Sequence, residues 1–319
     1  MSEQTIAEIG EFGFVELLQA RLAPAAQVSL GIGDDAAVIE LENLRVVAST
    51  DMLIEGKHFR KDWSSARDIG HRAAAANLAD LVATGATPTA LLIGIATPGD
   101  TKVDWLLELF DGISEEAALV NAHIVGGDTT KSETLTISIT ALGNLNSDGM
   151  SQAPLKRSGA KAGNLVILAG RLGWADAGLN ALRKGFKSPK IVVDAHRRPK
   201  VSYFAGFLAR DFVSSMIDVS DGLLQDLGHI AKASNVHIDV KTTALLPEQE
   251  ILDVAAALNV DPMVWVMTGG DDHAFVATLP RSRQVPDGFK VIGEVFEGPA
   301  QVTIDGKHFL GPKGYDHFI

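Results

Sequence analysis

Aspartates follow short apolar runs at several places along the chain, and this repeated pattern suggests one shared chemistry. An apolar run, then Ser, Thr or Gly, then Asp occurs in GIGDD (31–35), ASTD (48–51), IVGGDTT (124–130), IDVSDG (217–222) and MTGGDD (267–272). Carboxylates that follow the strands of an open α/β sheet gather at one edge, where the functional crevice lies. Gathered carboxylates raise each other's pKa unless cations neutralise them. The pattern therefore predicts a site that binds Mg²⁺ through oxygen ligands.

The segment GIGDDAAVIE also matches a dinucleotide-binding loop, with Gly31, Gly33 and Ala36 in a G-x-G-x-x-A pattern. Asp34 and Asp35 nevertheless stand where phosphate oxygens approach such a loop. The following AAVIE favours a strand over the long helix of a Rossmann unit, and no Walker A pattern occurs. The favoured interpretation is that the carboxylates bind metal and the metal binds phosphate.

A further carboxylate lies in the helical motif NLAD, where Asn77 and Asp80 share one helix face because they are three residues apart. Each acidic residue also has an ordinary structural interpretation. Asp221, ahead of GLLQDL, suits a helix N-cap, Asp128 suits a turn after two glycines, and Asp80 suits an exposed helix charge. The set as a whole favours the metal site.

Composition limits the class of protein. The chain has 319 residues, no cysteine and a formal net charge of −12. Its length suits two domains, and the absence of cysteine excludes disulfides and thiolate sites. The negative charge argues against a nucleic-acid partner. We expect a cytoplasmic protein with no membrane partner, because no apolar run is long enough to span a bilayer and MSEQTIAEIGEF lacks signal-peptide features.

Hydrophobic periodicity predicts strands alternating with helices, an α/β (α+β) fold. Expected strands lie at 44–51, 89–98, 134–145 and 165–170, and expected helices at 65–88 and 103–122. The segment 214–235 predicts a strand, a tight turn and a helix, and 264–280 predicts two strands joined by a turn. Gly, Ser and Pro accumulate at 147–164, which predicts a boundary between domains 1–148 and 149–319.

Eight motifs in order carry a family resemblance. They are GIGDDAAV, STDMLIEGKHF, NLADLVATGATP, GGDTT, KRSGAKAGN, IDVSDGLLQDLGHI, TGGDDHAF and GYDHF. Together they resemble the thiamine-monophosphate kinases, ATP-dependent enzymes of the superfamily of aminoimidazole ribonucleotide synthetase. The resemblance implies an N-terminal domain that binds ATP and Mg²⁺. It also implies that the sheet of this domain pairs with its twin across a homodimer to form a barrel.

The resemblance also implies roles for individual residues, with several Mg²⁺ ions, ATP and thiamine monophosphate bound. Its metal ligands correspond to Asp35, Ser49, Thr50, Asp51, Asp80, Asp128, Asp218 and Asp221. Its ATP contacts correspond to Gly127, Asp128, Arg157 and Ser220, and its substrate contacts to His58, Asp271 and Tyr315. The attacking phosphate oxygen is already largely anionic near neutral pH, so no general base is needed. Asp51 and Asp128 would act through metal.

The chain departs from the family pattern on the substrate side. The family usually has Glu-Asp-Tyr-Glu-Leu where this chain has Asp271-Asp272-His273-Ala274-Phe275. Two alternative functions stay open at this point. One is an amide-activating synthetase of the same superfamily, and the other is a non-catalytic, nucleotide-binding maturation protein.

Overall fold

The computed structural model describes residues 4–22, 28–30, 38–39, 46–147, 150–151, 153–311 and 313–315. The chain divides into two compact units. The first comprises residues 1–81 and 86–153, and the second comprises 82–85 and 154–319. Among the described residues no single helix has the length and hydropathy of a membrane span. The helices Gln249–Leu258 and Pro262–Thr268 reach that length and hydropathy only together, and they are bent by 116° relative to each other.

The first unit is a mixed four-stranded sheet with helices. Its helices are α1 (Ile6–Arg21), α2 (Ala66–Ala83, whose last two residues belong to the second unit) and α3 (Val103–Ala118). Its strands are β1 (Val28–Leu30), β2 (Val38–Ile39), β3 (Val47–Ile54), β4 (Thr87–Thr97), β5 (His123–Lys131), β6 (Thr136–Asn144), β7 (Asn146–Ser147) and β8 (Met150–Ser151). The sheet order is β3-β6-β4-β5, with only β4 and β5 parallel.

The two faces of this sheet differ in burial. On β6 the buried residues Ile137, Ile139 and Ala141 alternate with half-buried Ser138 and Thr140. This alternation follows because successive side chains of a strand point to opposite faces. The buried residues form one face of the core, and the other face carries small and hydroxyl side chains that stay partly accessible.

The second unit is built on a six-stranded mixed sheet. Its strands are β9 (Leu165–Ala169), β10 (Ser215–Val219), β11 (His237–Val240), β12 (Ala274–Leu279), β13 (Phe289–Phe296) and β14 (Gln301–Ile304), in the order β10-β12-β9-β13-β11-β14. Its helices are α4 (Trp174–Arg183), α5 (Lys190–Arg197), α6 (Tyr203–Ala209), α7 (Leu223–Ser234), α8 (Gln249–Leu258) and α9 (Pro262–Thr268). Strands β9, β10 and β12 are almost entirely buried, and most of their residues are accordingly apolar.

The two-domain α/β class is confirmed, and two local predictions are wrong. The expected strand from residue 264 is helix α9, because Asp261 caps it by accepting the N–H of Met263 at 2.9 Å and Pro262 begins it. The strand expected at 44–51, which is β3, does not end at Asp51. It continues to Ile54 because residues 52–54 still pair with β6.

Candidate active site

Two hydrogen bonds join β3 to α2 around predicted metal ligands of the first unit. Ser49 Oγ donates to Asp80 Oδ2 at 2.6 Å, and the backbone N–H of Asp51 donates to Asn77 Oδ1 at 3.0 Å. Asn77 is fully buried, and its amide also donates to the carbonyl of Ala73 at 3.0 Å. The buried amide thus fixes the helix turn that presents Asp80 to Ser49.

Thr50 makes its contacts on the other face of the sheet. Its Oγ1 donates to the carbonyl of Ile139 at 3.0 Å and accepts from Thr140 Oγ1 at 3.2 Å. Alternation along the strand separates this side chain from those of Ser49 and Asp51. A metal-ligand role for Thr50 stays a prediction.

Asp51 and Asp128 lie on the two outer strands of the four-stranded sheet. The pairing register runs from Asp51 through Ile139 and Ile93 to Gly127, the neighbour of Asp128. Three interstrand steps of about 4.8 Å place β3 and β5 about 14 Å apart. Two extended Asp side chains and two Mg–O bonds of about 2.1 Å span only roughly 11 Å. One ion therefore does not reach both residues within a single sheet.

Gly127 has a structural reason to be glycine. A Cβ atom there would lie 1.9 Å from the carbonyl oxygen of Ile93, so a side chain does not fit at this point of the β4–β5 pair. Asp128 is exposed and lies within β5, not in the turn that its sequence suggested. The ATP contacts expected of both residues stay predictions.

His58 has a defined tautomer. Its Nδ1 lies 2.9 Å from the backbone nitrogen of Ile54. A backbone N–H donates only, so Nδ1 accepts and the proton of the neutral ring is on Nε2. The ring therefore presents an N–H donor at Nε2, which is the group that a phosphate oxygen accepts from.

In the second unit, Asp218 is held by a histidine to which the sequence assigned no role. His273 Nδ1 lies 3.0 Å from Asp218 Oδ2, and both side chains are buried. Asp218 is the fourth residue of β10, and His273 immediately precedes β12, its antiparallel neighbour. The pairing of these strands brings the two residues together although 55 positions separate them.

The turn after β10 gathers three carboxyl groups. The N–H groups of Asp221 and Gly222 donate to Asp226 Oδ2 at 3.2 and 3.1 Å. Burial, together with repulsion from Asp218 and Asp221, raises the pKa of Asp226 to about 7. Ligand atoms of Asp221, Asp226 and His229 lie within 4.8 Å of one another. Burial and the nearby Arg157 lower the pKa of His229.

Predicted substrate and ATP residues lie beside this turn. The N–H of Tyr315 donates to the carbonyl of Asp221 at 2.9 Å, and the N–H of Asp271 donates to the carbonyl of Ser220 at 2.9 Å. Gln225 Nε2 donates to Asp221 Oδ2 at 3.1 Å and to the carbonyl of Tyr315 at 3.0 Å. The structure thus brings four predicted residues, Ser220, Asp221, Asp271 and Tyr315, into one region of the second unit.

Asp272, next to Asp271, anchors a helix. Its two oxygens accept from the N–H groups of Gly173 at 2.5 Å and Ala175 at 2.8 Å, at the start of α4. Burial raises the pKa of this carboxyl to about 7, against the effect of the two N–H donors. Asp176, one residue further on, also has a raised pKa, first because of burial and then because of repulsion from Asp271.

The donor chemistry of both units fits Mg²⁺. The groups are carboxylates and hydroxyls, which are the oxygen ligands that this hard ion takes. Burial first, and then the negative charges of Asp218 and Asp221, raise the pKa of Asp226, and a cation bound beside these carboxylates would relieve that repulsion. Asp35 lies outside the described residues, so its predicted role receives no structural account.

Sequence reasoning did not single out Asp226, His229 and His273, which lie beside the predicted ligands Asp218 and Asp221. Asp226 and His229 stand within the motif SDGLLQDLGHI, four and seven residues after Gly222, where one helix face returns toward the turn. That spacing was a usable signal. No comparable signal pairs His273 with Asp218, because only the β10–β12 register joins them.

Comparisons with known proteins follow the same division of the chain. Residues 33–145 match the AIR synthase related protein N-terminal domain, and residues 161–305 match the corresponding C-terminal domain. The thiamine-monophosphate kinase of Mycobacterium tuberculosis is 43% identical over 317 residues, which cover 98% of this chain and 93% of that protein.

Solved structures of thiamine-monophosphate kinases are also similar to this chain. The thiamine-monophosphate kinase of Stenotrophomonas maltophilia K279a has 28% identity and a TM-score of 0.82, covering 93% of this chain and 97% of that one. AaThiL complexed with AMPPCP and TMP has 28% identity and a TM-score of 0.79, covering 99% of each chain. With its motifs, its two domains and its relatives in agreement, the chain belongs to the thiamine-monophosphate kinase family of enzymes.

Proposed function

We propose that this chain transfers the γ-phosphoryl group of ATP to thiamine monophosphate, giving thiamine diphosphate and ADP. The similarity to AaThiL, a protein solved with AMPPCP and TMP, carries the proposal because it extends over 99% of both chains. The gathered region around Ser220, Asp221, Asp271 and Tyr315 supports it, since these are positions where the family resemblance places ATP, metal and substrate contacts.

The proposed reaction is an in-line transfer that needs positioning more than proton chemistry. A terminal oxygen of the acceptor phosphate attacks the γ-phosphorus, and the bond to the β–γ bridging oxygen breaks to release ADP. The acceptor oxygen is already anionic, so the site supplies no general base. His58 would donate Nε2–H to the acceptor phosphate, and Arg157 would pair with ATP phosphate oxygens.

Carboxylates of both units would hold Mg²⁺. In the first unit these are Asp51, Asp80 and Asp128, and in the second Asp218 and Asp221. Bound Mg²⁺ would neutralise the charge of two polyanions that otherwise repel each other. The chain's own part is to orient these oxygens, as Ser49 does for Asp80 through their 2.6 Å hydrogen bond.

A product assay tests this function. The chain is incubated with ATP, Mg²⁺ and thiamine monophosphate, and products are separated by chromatography. We expect thiamine diphosphate and ADP in equal amounts. ADP with free inorganic phosphate and no thiamine diphosphate would favour an amide-activating relative. Nucleotide binding without turnover would favour a maturation protein.

We further propose that the chain is a homodimer joined through the partly accessible face of the four-stranded sheet. That face carries Ser138 and Thr140 of β6 and Leu92, Gly94 and Ala96 of β4, all half-buried. Small and hydroxyl side chains allow close approach of a second sheet, and closure into a barrel removes both exposed edges. The dimer places β3 of one protomer beside β5 of its partner.

Substitution of a residue on this face is expected to separate the protomers. Leu92→Lys places a charge within the proposed interface, where burial without a partner is costly. The expected result is a shift from dimer to monomer in light scattering coupled to gel filtration. The control is Leu119→Lys at a position that is 66% exposed at the end of α3. Equal masses for both variants would contradict the assigned face.

This arrangement also resolves the separation of Asp51 from Asp128. The two residues are about 14 Å apart in one sheet, across three interstrand steps. With β3 beside the partner's β5, the strand that carries Asp51 of one protomer lies next to the strand that carries Asp128 of the partner subunit. Each dimer would then hold two sites, and each site would take one of these carboxylates from each protomer.

A further inference from the structure

His273 occupies a backbone conformation that is uncommon for residues other than glycine. Its φ is +49°, in the left-handed region where glycine and asparagine are the usual residues. Asp271, two residues earlier, has φ +64°. Two strained residues in one loop require contacts that hold them there, and such strain gathers where function demands a particular geometry.

Backbone contacts hold the loop against the end of β10. The N–H of Asp271 donates to the carbonyl of Ser220 at 2.9 Å, and the N–H of His273 donates to the carbonyl of Val219 at 3.0 Å. A Cβ atom at Gly270 would lie 2.3 Å from the carbonyl oxygen of Ser220. The loop is therefore packed directly on the residues that follow Asp218.

The imidazole of His273 is the side chain that holds Asp218. Both are buried, 3% and 4% exposed, so neither rotates freely into water. The 3.0 Å contact joins Nδ1 to Oδ2, and an ionised carboxylate only accepts, so Nδ1 carries the proton. Within the described chain Oδ1 of Asp218 accepts no hydrogen bond, which leaves that oxygen available to a cation.

We propose that His273 is a positioning residue, whose Nδ1–H fixes the Asp218 carboxylate so that Oδ1 faces the divalent cation. This deepens the function proposed above and rests on it. Hydrogen-bonded partners that orient metal ligands typically change metal affinity by 10–100-fold when they are removed. The strained backbone is then retained because it brings the ring to Oδ2.

Two substitutions separate the hydrogen bond from the backbone conformation. His273→Gly relieves the strained φ and removes the donor. His273→Asn tolerates the left-handed conformation, and its amide nitrogen stands near the position of Nδ1, so the donor is kept. A role limited to the backbone would make glycine the better replacement, whereas a positioning role makes asparagine the better one.

The probe is Mn²⁺, measured on the full chain by the electron paramagnetic resonance signal of the free ion. We expect His273→Gly to weaken Mn²⁺ binding by about 10–100-fold and His273→Asn to restore most of it. In an Asp218→Asn background, His273→Gly should cause no further loss, because residues that act through each other are not additive. Thermal unfolding of every variant reports whether it is folded.

The outcomes are distinct. Folded His273→Gly with wild-type Mn²⁺ affinity, or His273→Asn as weak as His273→Gly, would overturn the positioning role. An equal further loss in the Asp218→Asn background would do the same. The product assay on the unmodified chain judges the kinase function separately. A wild type that makes no thiamine diphosphate contradicts that function, while the Mn²⁺ series still decides whether His273 positions Asp218.

Discussion

Mixing two inactive variants is expected to restore activity to about a quarter of the wild-type level, because the proposed symmetric dimer would contain two equivalent composite sites. Asp51→Ala and Asp128→Ala each remove one carboxylate from every site. Loss of charge stabilisation worth several kcal/mol should lower kcat on the order of a thousandfold in each homodimer. In a heterodimer both substitutions fall in one site, and the other site is intact.

The measurement is the rate of thiamine diphosphate formation after the two variants are unfolded together and refolded as a mixture. Random pairing makes half of the dimers heterodimers, each with one working site of two, which gives the expected quarter. Refolded wild type sets the scale, and each variant refolded alone sets the background. A mixture no more active than its components would show that both carboxylates act within one protomer, or that they do not act together.

Sequence patterns predicted much of the fold because burial and periodicity are local properties. The alternation in TLTISITALGNL predicted β6 to within a few residues, since each second side chain enters the core. The apolar run VWVMT was misassigned because short buried strands and short buried helices look alike. The Asp-Pro pair at 261–262 was the deciding signal, and it lies just before that run.

For the candidate site, the sequence patterns proposed residue types but did not predict how these residues are arranged. Ser49 contacts Asp80 because β3 lies against α2, and His273 contacts Asp218 because β12 pairs with β10. These contacts depend on strand register and helix packing between segments that are distant in sequence, which no local pattern encodes. Local patterns also do not show that Asp51 and Asp128 lie on opposite edges of one sheet, because both residues follow the same kind of apolar run.

Asp272 shows a further property that depends on tertiary structure. The sequence placed it in a turn between two expected strands and assigned it no role, yet it is buried and accepts from the N–H groups of Gly173 and Ala175. It thereby joins the loop that carries Asp271 to the first turn of α4. This carboxyl group therefore stabilises the start of a helix that lies almost a hundred residues earlier in the sequence.

The free energy of unfolding is expected to fall as the pH rises from 5 to 8, and Asp272→Asn should make that fall shallower. Burial raises the pKa of Asp272 to about 7, against an ordinary value of 3.8. Between these values the folded chain binds a proton that the unfolded chain has lost, so acidification favours the folded state. The slope contributed by one such group reaches about 1.4 kcal/mol per pH unit, so between pH 5 and 8 its contribution falls by roughly 3 kcal/mol.

The measurement is chemical denaturation of the wild type and the variant at a series of pH values. Asp226 also has a pKa raised to about 7, so the slope of the variant decreases without disappearing. Exposed Asp287→Asn serves as the control for the loss of one charge. The asparagine at 272 has one acceptor oxygen for two N–H donors, so its absolute stability also changes, and only the slope is diagnostic. A slope equal to that of the wild type would mean that Asp272 is ionised in the fold throughout this range, with the start of α4 compensating its burial.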